Sequence, residues 1–430
     1  MNTKKITVAI IGCGGRGKDT YAKAQEKLCD QMQIVAAVDI NPKRLLEMET
    51  EYGVPKENCF CSVDDFFAQP KMADIAFICT MDKEHYAHAI QAMKSGYHLL
   101  LEKPISPYLN ECKEIEAAAK KYNRHVIVCH VLRYTAFYKK IKECLQAGVI
   151  GDIVSVQAIE GVAYWHQAHS FVRGNWRNQE EACPMILAKC CHDFDILLWI
   201  CAKKCKRVSS FGNLRLFKKS NAPEGATQRC TDGCPYVDSC AYSAPRYYLG
   251  QLRDGKTGWP VNILNSHPTE ENIMEALKTG PYGRCVYHCD NDVVDHQVVN
   301  MQLEDGTTIN FTMCAFTKNG FRKLRIMGTL GEIEGDMETN RIYLKPFAGE
   351  TTEIDVYTLS DDFSGHGGGD VQMLREVIAL VQKGEIAGSS ITTIEQSMQS
   401  HYVAFAAEAS RVNNGRVVDM VSFLNGNRSI

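Results

Sequence analysis

The sequence predicts an α/β protein: a doubly wound parallel sheet first, then a second α/β domain with a large, open, mostly antiparallel sheet. Three observations predict it. A glycine-rich turn follows the first apolar run, strands and helices alternate regularly to about residue 130, and the texture changes after Arg133 into helices, an insertion and many short strands. At 430 residues the chain is long for one core. Two domains are expected, 1–130 and 131–430, with a Gly-, Pro-, Cys- and Tyr-rich insertion at about 221–265.

Ile6–Ile11 reads as a buried strand and residues 17–28 as a helix, with Gly12-Cys13-Gly14-Gly15-Arg16-Gly17 between them. A Gly-x-Gly-x-x-Gly turn there has physical reasons. Gly12 permits the tight turn, Gly14 lets a pyrophosphate approach the backbone, and Gly17 lets helix and strand pack closely; the helix N-terminus faces the phosphate charge. The second strand, 34–38, ends at Asp39, about 20 residues past the glycines, as the motif requires. A carboxylate there accepts both ribose hydroxyls of an adenosine and repels a 2′-phosphate, which favours NAD over NADP. Arg16 and Arg44 pull the other way, because either can pair with a 2′-phosphate.

Residues 73–79 read as a strand ending at Thr80, 84–95 as a helix stopped by Gly96, and His98–Leu101 as a strand followed at once by Glu102-Lys103-Pro104. A helix over 110–122 and a strand over 126–129 complete the alternation. Ligands of such a sheet sit beyond the strand C-termini. In the second domain helices are expected over 137–147, 185–200, 371–382 and 393–409, with strands at 153–160 and across 284–346. Ser364-Gly365-His366-Gly367-Gly368-Gly369-Asp370 reads as a flexible loop with Asp370 as helix N-cap.

The net charge of −3 and the lack of a basic run argue against nucleic-acid binding. No apolar run is long enough to span a bilayer and no signal-peptide pattern opens the chain, so a cytoplasmic location is expected. Most of the 19 cysteines are then expected as reduced, buried hydrophobes.

Lys103 sits at the ligand edge of the first sheet. A lysine there can hydrogen-bond a substrate hydroxyl together with a ribose hydroxyl, and can stabilise an alkoxide; otherwise it is a surface lysine before a turn. The segment 164–178 is dense in aromatic, His and Arg side chains and links the first strand of the second domain to the next helix. Sugars present C–H faces that stack on Trp or Tyr, and hydroxyls that Arg, Asn and His bind. Tyr164, His169, Arg173, Trp176 and Arg177 are therefore candidate substrate contacts, with His366 as a residue that closes over the substrate.

In order and spacing, Gly12-x-Gly14-x-x-Gly17, Asp39, Thr80 with His85, Glu102-Lys103-Pro104, Gly148-x-x-Gly151-Asp152, His192-Asp193-Phe194-Asp195 and Gly328-Thr329 with Gly331 resemble the glucose–fructose oxidoreductase / inositol dehydrogenase / MocA family. The resemblance implies a Rossmann domain plus a C-terminal α/β domain with an open sheet. It implies NAD(P)-dependent oxidation or reduction of a sugar, glycoside or cyclitol hydroxyl, and homo-oligomers (dimer or tetramer). The cofactor set is then Gly12, Cys13, Gly14, Gly15, Arg16, Gly17, Asp39, Arg44, Cys79, Thr80, His85, Glu102, Lys103 and Arg133. Lys103 matches the family's active-site lysine and His192 its catalytic base, a role that suits a group with a pKa near working pH. The family's Asp one turn before that His is Ala188 here. Lys189, three positions before His192 and so on the same helix face, either takes over as an acid/base or oxyanion-stabilising group or leaves the pairing incomplete. Its charge would favour the neutral imidazole.

The family also contains redox-assisted glycosidases, which oxidise a sugar transiently with tightly bound NAD, eliminate the glycoside and regenerate the cofactor. That reaction is the alternative to a net dehydrogenase; a non-catalytic nucleotide-binding protein is a remote third. Finally, Cys230-x3-Cys234-x5-Cys240 with Cys289 downstream has the ligand types of a closed structural zinc site, although the spacing is not that of a standard ribbon.

Overall fold

The computed structural model describes residues 5–384 and 390–426. Six parallel strands form the first sheet: β1 (Ile6–Ile11), β2 (Met32–Val38), β3 (Cys59–Phe60), β4 (Ile75–Ile78), β5 (His98–Leu101) and β6 (Val126–Val128), in the order β3-β2-β1-β4-β5-β6. They are short apolar runs because helices cover both faces; β4 is buried at all four positions. Chain order runs outward in both directions from β1, so the switch point lies between β1 and β4, at the C-terminal ends that carry the glycine loop and Thr80.

The second sheet has nine strands in the order β14-β13-β12-β11-β7-β10-β9-β8-β15. They are β7 (Ile153–Gly161), β8 (Cys205–Asn213), β9 (His296–Leu303), β10 (Thr308–Cys314), β11 (Phe321–Gly328), β12 (Gly331–Asp336), β13 (Arg341–Pro346), β14 (Thr352–Asp355) and β15 (Val418–Asp419). Only β7 and β10 pair in parallel; the other neighbours are antiparallel. The helices Cys191–Cys201 and Ile394–Val412 bury one face: Phe194, Leu197, Val403 and Ala407 pack with Val156, Val299, Phe311 and Ile326. On the other face, Phe211 and Ile159 lie exposed in one row across the strands, as the pairing of Phe211 with Val298, Val298 with Thr312 and Thr312 with the Ile159 position requires.

Three expectations are corrected here. The turn after the glycine loop is π-helical over Gly17–Ala22, with the Tyr21 N–H donating to Arg16 O (3.0 Å), rather than one regular helix to residue 28. The helix expected over 185–200 is two, Met185–Ala188 and Cys191–Cys201, broken at Lys189 and Cys190. The helix Gly369–Lys383 is capped by Gly368 at φ +81°, and Asp370 lies in its first turn instead. The connection from β8 to β9 spans 214–295 and carries its own small core, in which Ala244, Tyr248 and Leu249 of the helix Ala244–Arg253 meet Ile273 and Leu277 of the helix Glu270–Thr279.

Candidate functional site

Gly12 has φ +95°, and a Cβ there would lie 2.6 Å from Cys79 O. A Cβ on Gly17 would lie 2.0 Å from Gly12 O. Both positions therefore require glycine. A Cβ on Gly14 would meet only the Arg44 guanidinium, at 3.6 Å, so that backbone lies open. Asp39, 7% exposed, accepts from the Cys13 N–H (2.8 Å) and the Asn41 N–H (2.8 Å) and holds Arg44 at 3.4 Å. An open glycine backbone beside a carboxylate at the end of β2 fits a dinucleotide. Cys13 supports the loop through its backbone; burial pushes its thiol well up.

Four residues of the expected cofactor set are engaged elsewhere. Arg16 donates to Glu102 Oε1 (2.6 Å), Asp370 Oδ1 (2.7 Å) and the Tyr21 hydroxyl (2.6 Å), so two carboxylates already neutralise it and it is not a free partner for a 2′-phosphate. Glu102, 5% exposed, also accepts from Tyr21 (2.5 Å); Arg16 holds it ionised against the burial that opposes its charge. His85 has Nδ1 on Pro104 O (2.7 Å) and Nε2 on Thr80 O (3.1 Å), and thus shapes the two loops instead of facing a ligand. Arg133 makes a buried bidentate pair with Asp195 (2.6 and 2.7 Å) and donates to Gln396 (3.0 Å). Thr80 Oγ1 lies 3.1 Å from His88 Nδ1, and the Cys79 thiol is pushed up by burial.

Lys103 reaches across the domains: Nζ donates to Ala188 O (2.8 Å), at the end of the helix Met185–Ala188. His192, 6% exposed, lies in the first turn of the next helix and has no partner at Nδ1 among the described residues. Burial, then Lys103, then His130 and His366, hold its pKa well below the usual range, which favours the neutral imidazole. The rings of His130 and His366 lie 5.5 and 6.2 Å from its own. The rest of the motif is fixed by its partners. Asp193 takes Arg322 (2.8 Å), Phe194 packs on Phe311, and Asp195 takes Arg133. His366 Nδ1 lies on Asp370 Oδ2 (3.0 Å), so a chain of contacts runs from Arg16 through Asp370 and His366 to His192.

Lys189 sits at the helix break, not one turn before His192 on a shared face. Its ammonium pairs with the buried Glu160 (3.2 Å), which also holds Arg322 (2.9 Å). The ring it acts on is His166, whose pKa is lowered first by burial and then by Lys189.

The 164–178 segment is largely helical turn rather than open loop, with Tyr164–His166 α-helical and Gln167–Arg173 π-helical. Several expected substrate contacts are therefore internal. His169 is 3% exposed, bonded to the Tyr248 hydroxyl (2.6 Å) and stacked on Tyr282 at 4.6 Å; burial lowers its pKa to about 3. Arg173 donates to Arg284 O and Tyr242 O, both at 2.7 Å. Arg177 forks onto Asp290 (2.9 and 3.0 Å), and Trp176 Nε1 donates to Asp82 (3.1 Å). Tyr164 packs edge-on to Tyr242, with the half-buried Trp165 beside it stacked on His166 and Tyr247 and tilted against Trp259, which is 49% exposed.

Asp82, Glu160 and Arg322 escaped the sequence reading. Asp82 lies just past the end of β4, a position that marks a ligand edge in a parallel sheet, and Glu160 lies near the end of β7 in the second sheet. Burial raises both carboxyls, with Lys103 close to Asp82 and Arg322 close to Glu160 opposing it.

The expected zinc clip is not assembled. Among the described residues, no group of three or more His, Cys, Asp or Glu converges to hold a metal ion. Cys230 meets Arg173 Nη2 at 3.8 Å, Cys240 accepts from the Tyr242 N–H (3.4 Å), and Cys289 turns onto Cys285 O (3.3 Å); Cys234 is likewise a free thiol. No helix of the described residues is long and apolar enough to cross a membrane.

Fold and loop define an NAD-binding oxidoreductase of two α/β domains. The chain belongs to the Gfo/Idh/MocA family: residues 6–130 match the oxidoreductase family's NAD-binding Rossmann fold, and 142–420 match its C-terminal alpha/beta domain. The putative oxidoreductase YteT of Bacillus subtilis is 24% identical over 389 residues, 86% of this chain and 88% of its own length. Glycosyl hydrolase family 109 protein 1 of Bacteroides fragilis is 26% identical over 179 residues, only 40% of this chain and 37% of its own length. An oxidoreductase from Agrobacterium radiobacter, solved with NAD+, L-tartaric acid and magnesium, superposes with TM-score 0.69 at 16% identity and covers 98% of this chain and 100% of its own. The apo scyllo-inositol dehydrogenase of Lactobacillus casei gives TM-score 0.66 at 18% identity, covering 98% and 100%. At these identities the two structures speak for the fold alone.

Proposed function

We propose that this protein transfers hydride between NAD(H) and a secondary hydroxyl of a sugar, glycoside or cyclitol. The observation that supports it most is the meeting of Lys103, from the first sheet, with the His192 region of the second domain, bridged by Lys103 Nζ on Ala188 O. The bound nicotinamide supplies the hydride acceptor or donor. His192, neutral because burial and Lys103 disfavour its charge, takes the hydroxyl proton. Lys103 holds the oxygen as negative charge develops on it. Trp165, Tyr164 and Trp259 offer partly exposed rings for the C–H face of a sugar. Asp39 favours NAD over NADP, the more so because Arg16 is neutralised. Lys189, paired with Glu160, tunes His166 rather than His192 and enters the site as a positioning residue.

A second reading, redox-assisted glycoside cleavage with resident NAD, gains support from one contact: the insertion touches the glycine loop at Asn262 and Ile263. The partial likeness to a family 109 glycosyl hydrolase points the same way.

One experiment tests both. Sugars, cyclitols and glycosides are screened with NAD, reading NADH absorbance and glycoside cleavage in parallel, with His192→Ala and Lys103→Ala as controls. Substrate-dependent NADH is expected, with each control lowering kcat/KM by at least about 100-fold. Cleavage without net NADH selects the second reading. Losses under about tenfold in the controls remove the assigned roles.

A further inference from the structure

The insertion between β8 and β9 reaches back over the first domain. Asn262 Nδ2 donates to Asp19 Oδ2 (3.0 Å), on the turn that follows the glycine loop. Next to it, Ile263 Cδ1 lies 3.9 Å from where a Cβ on Gly15 would be. Arg44 lies against the adjacent Gly14, anchored on Asp39. The open backbone of the loop is thus flanked by a guanidinium and by an isoleucine from another domain.

Two features of this turn are unspent. Ile263 is 39% exposed, a large apolar side chain held in the open above a polar loop. Asn262 Oδ1 is buried and has no hydrogen-bond partner among the described residues. A buried amide oxygen without a partner is costly, and its usual remedy is a donor from a ligand or water. A few residues earlier, Trp259 packs on Trp165, His166 and His169, with ring centroids 4.9–5.5 Å apart. One short turn therefore joins the dinucleotide loop to the aromatic wall of the candidate substrate site.

We propose that residues 259–264 form a strap across the dinucleotide site, with Ile263 and Asn262 as further cofactor-binding residues, so that the dinucleotide dissociates slowly. This rests on the cofactor reading above. Ile263 closes the loop side, Asn262 Oδ1 is the acceptor for a hydroxyl or amide N–H of the dinucleotide, and the Asp19 bond latches the strap. Release then requires this latch to open, which slows dissociation without any change in the glycine loop itself.

The test is exchange, not activity. Bound dinucleotide is quantified after heat release from purified protein, and its replacement is followed with etheno-NAD as a fluorescent probe. Asn262→Ala and Asp19→Ala cut the latch from its two ends. NAD that survives gel filtration of the wild type is expected, with exchange roughly five- to tenfold faster in Asp19→Ala, as the loss of one hydrogen bond implies, and at least as much faster in Asn262→Ala, which also removes the acceptor. The double variant should be no faster than Asn262→Ala alone. Thermal melting checks that both variants fold; if one does not, the other still reports on the same bond. Unchanged exchange in folded variants overturns the strap alone. A wild type that binds neither NAD nor etheno-NAD overturns the cofactor reading and the strap with it.

Discussion

Asp39 ties two backbone segments to one carboxylate: Oδ2 holds the glycine loop at Cys13, and Oδ1 holds the start of the next helix at Asn41. Its position was legible from spacing alone, because the motif requires an acid at the end of the second strand. What spacing could not give is the fate of the two arginines nearby. Arg16 is consumed by Glu102 and Asp370, while Arg44 remains on the loop. Removing the carboxylate leaves Arg44 unopposed beside the ribose site. Asp39→Ala is therefore expected to weaken NAD binding at least about tenfold more than NADP binding, since a hydrogen bond to a charged group is worth about 1.5–3 kcal/mol. Binding titrations with both dinucleotides decide it; the reverse ranking refutes the assignment. His169, Arg173 and Arg177 teach the opposite lesson. Their residue types suited a sugar, yet in the fold their donors are taken by Tyr248, backbone carbonyls and Asp290.

The break at Lys189 and Cys190 decides what an element's periodicity could not. Counting three residues back from His192 places Lys189 on the same helix face only if the helix is continuous. Because it is not, Lys189 turns to Glu160, and Lys103 becomes the cation that governs His192. The helix that follows is anchored to the turn after β6 by Asp195 and Arg133, both nearly fully buried. Burial pushes the Asp195 carboxyl up and the Arg133 guanidinium opposes it. Arg133→Ala strands that carboxylate, and breaking a buried pair in this way costs about 3–5 kcal/mol. A clear drop in thermal midpoint is expected, and Asp195→Asn in the same background should recover part of it. A midpoint equal to wild type would show that the pair is dispensable.

At the scale of the whole molecule, the first sheet is not completed by the first 130 residues. Val371, Met373, Leu374, Val377 and Ile378 pack against Val8, Ile10, Tyr21 and Ile127, and Ile394 and Met398 pack with Ile115 and Val128. Chain and core therefore divide differently, and unfolding is expected to couple the two sheets. Many buried imidazoles sit between them. His130, His166, His169, His192 and His401 are all held below the ordinary histidine range, chiefly by burial. The unfolded chain takes up these protons near pH 6.5, while the folded one resists them to lower pH. The unfolded state thus binds more protons in that window, and stability rises with pH across it. Asp82, Glu160 and Asp195, raised by burial, act in the opposite sense but are fewer. The thermal midpoint should fall between about pH 7.5 and 5.5. A midpoint that rises on acidification would mean that the carboxyls dominate.

The sequence by itself determined the parallel sheet, the glycine loop and the acid that ends the second strand. Each is written in local terms: an apolar run, a turn that only glycine can make, a fixed spacing. The tertiary structure alone decided which polar groups remain available to a ligand. Availability depends on partners far apart in the chain, such as Arg16 with Asp370, Lys103 with Ala188 and Asn262 with Asp19. A hydrogen bond or ion pair engages a side chain whatever its spacing from the motif, and no periodicity records it.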